Sequence, residues 1–278
     1  MNGHVFDVLQ ISPPVDTDYA IFLSKTVSKL SSIIGNMIEE KMAKHLNESG
    51  NFTEFGRWIR QDPGFPDNIF STDFLENIPG LEIKAWMPFS TEITGRFKTS
   101  RKVVLENPTY VAIVAWMPEF ILHGRPEIID IWVEPALNIV ENRDRHYNKP
   151  PNYILVEPSD TSSRTKNLQQ SNVEGYSFQN SNDLLEKAYE FTENSGLLNI
   201  DYPLSEDEWK LLEELKNKFP YRLDTNFGKL NRINNVGIND FKDKVYAQKK
   251  FNKTIGYWKK ISNDKTVLHE YLKLFPMK

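Results

Sequence analysis

No cysteine occurs in the 278 residues. Disulfides and thiolate metal sites are therefore excluded, and the absence fits an intracellular, cytoplasmic protein. Histidine is scarce as well: 5 residues, none in HxxxH or HxH spacing, which argues against a zinc centre. No apolar run approaches the ~18 residues needed to span a bilayer, so no membrane association is expected. The first residues, Met1-Asn-Gly-His-Val-Phe-Asp-Val8, lack a basic stretch followed by an apolar one, the pattern of a signal peptide. Repeats and low-complexity tracts are absent too.

What is present is a chain able to build a sizeable core, with 39% hydrophobic and 12% aromatic residues. Its net charge of −4 hides an asymmetry. Residues 220–278 carry 13 Lys and Arg against 5 Asp and Glu, while the remainder is strongly acidic. A basic segment on an acidic body suggests a face for a polyanion, or simply a solvated surface.

Hydrophobic spacing predicts one long amphipathic helix over 17–47, carried by Ile21, Val27, Leu30, Ile34, Met37, Ile38 and Met42. A short helical piece is expected over Glu54–Gln61. Strands are expected at Asn68–Phe74, Leu81–Met87, Arg101–Leu105, Thr109–Trp116, Ile128–Val133 and Tyr153–Val156. Pro135–Tyr147 reads as helix, and so do Asn182–Asn194, Ser205–Phe219 and Asn239–Phe251. This order predicts an α/β (α+β) fold, a central mixed β-sheet flanked by helices, with a helical C-terminal part. The expected division is a core over 1–200 and a basic helical part over 201–278.

One constellation carries chemistry. Pro66-Asp67 is followed by Gly80-Leu-Glu-Ile-Lys84. Residues two apart on a strand share a face, so Glu82 and Lys84 point one way while Leu81, Ile83 and Ala85 form an apolar row on the other. Two carboxylates suit a hard cation that takes oxygen ligands, and a lysine beside them can orient water or neutralise a phosphate. An exposed ion pair on an ordinary strand is the plainer alternative. The first carboxylate is Asp67, in the literal Pro-Asp, or Asp73, nine residues before Glu82.

This segment resembles the PD-(D/E)xK nuclease superfamily, above all type II restriction endonucleases and the related mismatch-repair nickase MutH. Pro79-Gly-Leu-Glu-Ile-Lys84 is similar to the Leu-Gly-x-Glu-Leu-Lys of the MutH-like variant, and Gly35-Asn-Met-Ile-Glu39 to its Gly-x-x-x-Glu helix. The resemblance implies a restriction-endonuclease-like core. It implies catalytic Asp67, Glu82, Lys84 and Glu39, with Asp73 and Glu40 as alternatives. Mg²⁺ would be bound by Asp67, Glu82 and the Ile83 carbonyl, with Mn²⁺ as a substitute and Ca²⁺ as an occupant without turnover. The implied activity is hydrolysis of double-stranded DNA at a short sequence, leaving 5′-phosphates. Cutting both strands implies a homodimer on a palindromic site.

Cations for phosphate contact are found at Arg96, Lys98, Arg101 and Lys102. The polar stretch after Glu157 offers base-reading side chains at Arg164, Lys166, Asn167, Gln169, Gln170 and Asn172. Lys249, Lys250, Lys253, Lys259 and Lys260 could add backbone contacts. The competing readings are a repair nickase, a structure-specific nuclease of the same superfamily, and a non-catalytic nucleic-acid- or protein-binding module.

Overall fold

The computed structural model describes residues 1–62, 64–90, 108–147 and 235–276. It also describes three short strands and isolated positions between 93 and 233. Two compact units divide the chain. The first comprises Met1–Ile93, Arg101–Ile139 and Asn235–Lys278; the second comprises Thr94–Ser100 and Val140–Asn234. The C-terminal segment from Asn235 thus belongs to the same unit as the N-terminal helices and strands.

The first unit opens with helix α1 (Thr17–Thr26), capped by the Asp16 carboxylate, which accepts from the Tyr19 N–H at 2.7 Å. The single long helix expected here is interrupted. Ser24 and Thr26 turn their hydroxyls back onto the carbonyls of Ile21 and Phe22, both at 2.7 Å, which competes with the helical ladder. A 3₁₀ turn over Val27–Leu30 follows before α2 (Ser31–Glu48).

Five strands form the central sheet in the order β1 (Arg57–Arg60), β2 (Asn68–Ser71), β3 (Gly80–Trp86), β4 (Thr109–Phe120), β5 (His123–Pro135). β1 replaces the short helix expected over Glu54–Gln61. β3 and β4 run parallel, and the other neighbours run antiparallel, so the sheet is mixed. An α/β fold is what the pattern predicted. In the segment expected as a strand over Arg101–Leu105, the one described residue, Val104, is helical.

Register decides which face each side chain takes. Ile83 lies beside Ala112, and Ala112 opposite Val133. Leu81, Ile83, Ala112, Val114, Trp116 and Ile128 pack with Ile34, Ile38 and Met42 of α2 in one core cluster. Helix and strand approach closely at Gly35, where an added Cβ would sit 3.7 Å from that of Ala85.

The opposite face holds Glu82, Lys84 and Trp86. Lys84 lies beside Ile113, which pairs with Trp132. Helix α3 (Ala136–Tyr147) follows β5 in the chain, and over this face runs α4 (Val236–Ala247). Its Phe241 meets Trp86 at 6.1 Å and stacks on Trp132 at 6.3 Å between centroids. The sheet is therefore covered by α2 on one side and α4 on the other.

A small ladder (β9, Lys249–Lys250; β10, Lys253–Thr254), a short helix α5 (Ile255–Trp258) and α6 (Lys265–Leu274) complete this unit. Trp258 and Tyr271 are fully buried there, and the Tyr271 hydroxyl meets His123 Nδ1 at 2.8 Å. In the second unit β6 (Leu155–Pro158), β7 (Tyr176–Asn180) and β8 (Tyr221–Leu223) form a three-stranded sheet, parallel then antiparallel. No helix among the described residues is long and apolar enough to cross a membrane.

Candidate active site

The β2–β3 ladder pairs Asn68 with Leu81. One step further puts Asp67 opposite Glu82, on the face turned away from α2. Two backbone hydrogen bonds lock the pair. The Asp67 N–H donates to Glu82 Oε2 at 3.2 Å, and the Ile83 N–H donates to Asp67 Oδ2 at 2.6 Å. Pro66 holds the approach to Asp67 by lying on Gly80. A Cβ at position 80 would come within 2.2 Å of Pro66 Cγ, so the strand must begin with glycine.

Lys84 supplies the cation. Its ammonium donates to Glu82 Oε1 and, at 3.0 Å, to the Ile83 carbonyl, and lies 3.8 Å from Asp67 Oδ2. Glu82 is 8% exposed, while the Lys84 and Asp67 side chains are 19% and 18% exposed. Burial pushes the Glu82 carboxyl above its ordinary value; Lys84 opposes that and Asp67 reinforces it.

Glu39, on α2, has a different attachment. Its Oε2 accepts from Arg60 Nε at 3.0 Å and pairs with Arg60 Nη2 at 2.9 Å. Arg60 also reaches Asn36 Oδ1 at 2.6 Å and Asp62 at 3.1 Å. Burial is the main reason the Glu39 carboxyl titrates above its ordinary value, and Asp67 adds to it; Arg60 and then Lys84 pull the other way. Glu39 thus lies within electrostatic reach of the Asp67–Lys84 pair while bound to Arg60.

Glu40 faces solvent on the next helix position, and Asp73 is exposed beyond the end of β2. Neither joins Asp67, Glu82 and Lys84. Of the two alternatives for the first carboxylate, the ladder brings Asp67 to Glu82.

Arg60 and Asn68 are additions that pattern reading missed. Asn68 is fully buried; its Nδ2 donates to the Glu39 carbonyl at 3.0 Å, tying β2 to α2, and its Oδ1 has no partner. An asparagine inside a strand pattern was the available signal, since strands are depleted in it.

The donor set suits a hard cation. Two carboxylates and the Ile83 carbonyl converge on one ammonium, and every donor is oxygen. Among the described residues no cluster of three or more His, Cys, Asp or Glu side chains could hold a metal ion. Mg²⁺ requires no such cage: one or two carboxylates with waters and substrate phosphate are its usual shell.

The remaining candidates divide. Arg96, Lys98, Arg101, Lys102, Arg164, Lys166, Asn167, Gln169, Gln170 and Asn172 lie outside the described residues. In the C-terminal segment, Lys250 pairs with Glu127 at 2.6 Å and Lys253 with Glu270 at 3.3 Å. Lys244, a further cation of this segment, pairs with Asp130 at 2.7 Å. Three cations of this segment are thus matched by carboxylates of their own unit. No family model, curated protein or solved structure matches the chain.

Proposed function

We propose that the protein is a Mg²⁺-dependent deoxyribonuclease with a restriction-endonuclease-like core. In this reading it hydrolyses double-stranded DNA at a short specific sequence in the manner of a type II restriction enzyme. One observation carries the proposal: Asp67 and Glu82 face each other across β2 and β3 with the Lys84 ammonium against both. The strand arrangement supports it, with β3 between an antiparallel and a parallel neighbour and α2 packed behind.

Asp67, Glu82 and the Ile83 carbonyl are the groups that would hold the metal. Bound there, Mg²⁺ supplies polarisation of the phosphate and a more acidic water. Lys84 orients the attacking water and offsets the charge gathering on the phosphoryl oxygens. The Asp67 N–H keeps the Glu82 carboxylate aimed, so little reorganisation accompanies the reaction. The water oxygen bonds to phosphorus as the P–O3′ bond breaks, leaving a 5′-phosphate and a 3′-hydroxyl. Cleavage of both strands calls for two such sites, supplied by a homodimer across a two-fold axis.

Incubation of supercoiled and linear plasmid with Mg²⁺ tests the proposal. Discrete fragments with 5′-phosphate ends are expected, and Glu82→Ala and Lys84→Ala should abolish them while duplex binding persists. Nicked circles alone would turn the reading toward a nickase. Cleavage that survives both substitutions would overturn the site.

A further inference from the structure

Two cations of the C-terminal segment differ from their neighbours. Among the described residues no carboxylate forms an ion pair with Lys242 or Lys259, and both are only partly exposed. Lys259 lies 4.5 Å from the centre of the Tyr246 ring and donates to the Tyr246 hydroxyl at 2.9 Å. Tyr246 in turn donates to the Pro88 carbonyl at 3.2 Å, which ties the arrangement to the end of β3. Lys242 precedes Tyr246 by one helical turn on α4, so the two side chains share a helix face. Burial and then the charge of Lys259 push the Lys242 ammonium below the ordinary lysine range, against the opposing pull of the neighbouring Asp243 carboxylate.

A fold that holds two ammonium groups beside one tyrosine, and gives neither an ion pair among the described residues while pairing Lys244, Lys250 and Lys253, has kept a place for an anion. The location narrows the choice. Tyr246 packs edge-on against Trp86, with centroids 5.6 Å apart. Trp86 is two residues along β3 from Lys84 on the same face, about 7 Å at the rise of a strand. An anion at this pair therefore lies on the side of the sheet that carries Glu82 and Lys84.

We propose that Lys242 and Lys259 are a phosphate-binding pair that grips the DNA backbone beside the scissile phosphate. The inference rests on the nuclease reading but concerns binding, so its test is independent of cleavage. Each phosphate contact releases counterions, and its loss lowers the slope of log affinity against log salt by about one.

Fluorescence anisotropy with a labelled DNA duplex, at several salt concentrations, should be run on full-length protein carrying Glu82→Ala to prevent turnover. Adding Lys242→Gln and Lys259→Gln should reduce the salt slope by about two and weaken binding to all sequences alike. Arginine at both positions should restore it. Lys253→Gln, which removes a cation already paired with Glu270, is the control and should leave the slope unchanged. Thermal melting should show the glutamine pair still cooperatively folded, so that a changed slope reads binding and not unfolding.

An unchanged slope in a folded Lys242→Gln, Lys259→Gln protein overturns the inference and leaves the nuclease proposal standing. Absence of any duplex binding by the Glu82→Ala parent overturns it as well. Cleavage by the Glu82→Ala protein would instead count against the proposed catalytic site.

Discussion

Asp67 and Glu82 hold each other in place through the backbone. The N–H of one donates to the carboxylate of the other, and the Asp67 carboxylate takes the N–H of Ile83, next to Glu82. Neither side chain depends on a distant element for its aim. The ladder that makes the sheet also sets the distance between the two acids.

Lys84 touches both acids but anchors neither backbone. Replacing it with methionine keeps the stem and removes the charge. Turnover should fall by about 10²–10³-fold, the loss seen when one transition-state donor is deleted, with duplex affinity little changed. Single-turnover cleavage and anisotropy, measured on the same preparation, check the two halves. An equal loss in both would make Lys84 a binding residue only.

Gly80 sits under the Pro66 ring, and a methyl group there would overlap Pro66 Cγ. Gly80→Ala should cost about 1–3 kcal/mol, as overpacking does. It should also displace Asp67 more than Glu82, since Pro66 adjoins only the former in sequence. Chemical denaturation reads the first effect. A Gly80→Ala protein of parental stability and activity would contradict both.

Stability should depend on pH through Glu82. Burial raises its carboxyl above the ordinary value of 4.5, so the folded state binds that proton more tightly than the unfolded chain. The contribution is complete below the unfolded value and is lost as pH rises through the folded one. Glu82→Gln removes this slope. Melting-temperature differences between variant and parent should therefore move in favour of the variant from about pH 4.5 upward and then level off. Glu39, raised in the same direction, is common to both proteins and cancels. A flat difference would show that Glu82 titrates normally.

Lys250 illustrates a cation with a structural task. Its ammonium lies 2.6 Å from Glu127 and near the carbonyls of Pro118 and Glu119, at 3.4 and 3.3 Å. Glu127→Ala strands it. A loss of about 0.5–1.5 kcal/mol is expected, the net contribution of one hydrogen bond in a partly exposed pair. The salt dependence of DNA binding should stay as it was. Denaturation curves and anisotropy separate the outcomes, and a changed slope would assign Lys250 to the DNA face after all.

Much of this site was legible in strand alternation. Leu81, Ile83 and Ala85 had to share one face and Glu82 and Lys84 the other, and the first row indeed packs with α2. Sequence spacing alone left Asp67 and Asp73 open, because it does not say where β2 ends; the ladder stops at Ser71 and leaves Asp73 in solvent. β1 was misread because Arg57-Trp-Ile-Arg60 has two adjacent apolar residues and no clear period, and its strand character comes from pairing with β2. Charge counts ignore partners, and Glu127 lies 123 residues before the lysine it pairs with.

The cover over the Glu82–Lys84 face has a temporal consequence. Tyr246 and the Pro88 carbonyl it caps are 158 residues apart in sequence. During synthesis β3 and its neighbours emerge long before α4 exists, so Trp86 and Trp132 wait uncovered while the second unit is made. Closing so long a loop is a slow, late event. The face that carries Glu82 and Lys84 is thus sealed only once α4 has been made, and a chain released before it would present an aromatic, carboxylate-lined surface.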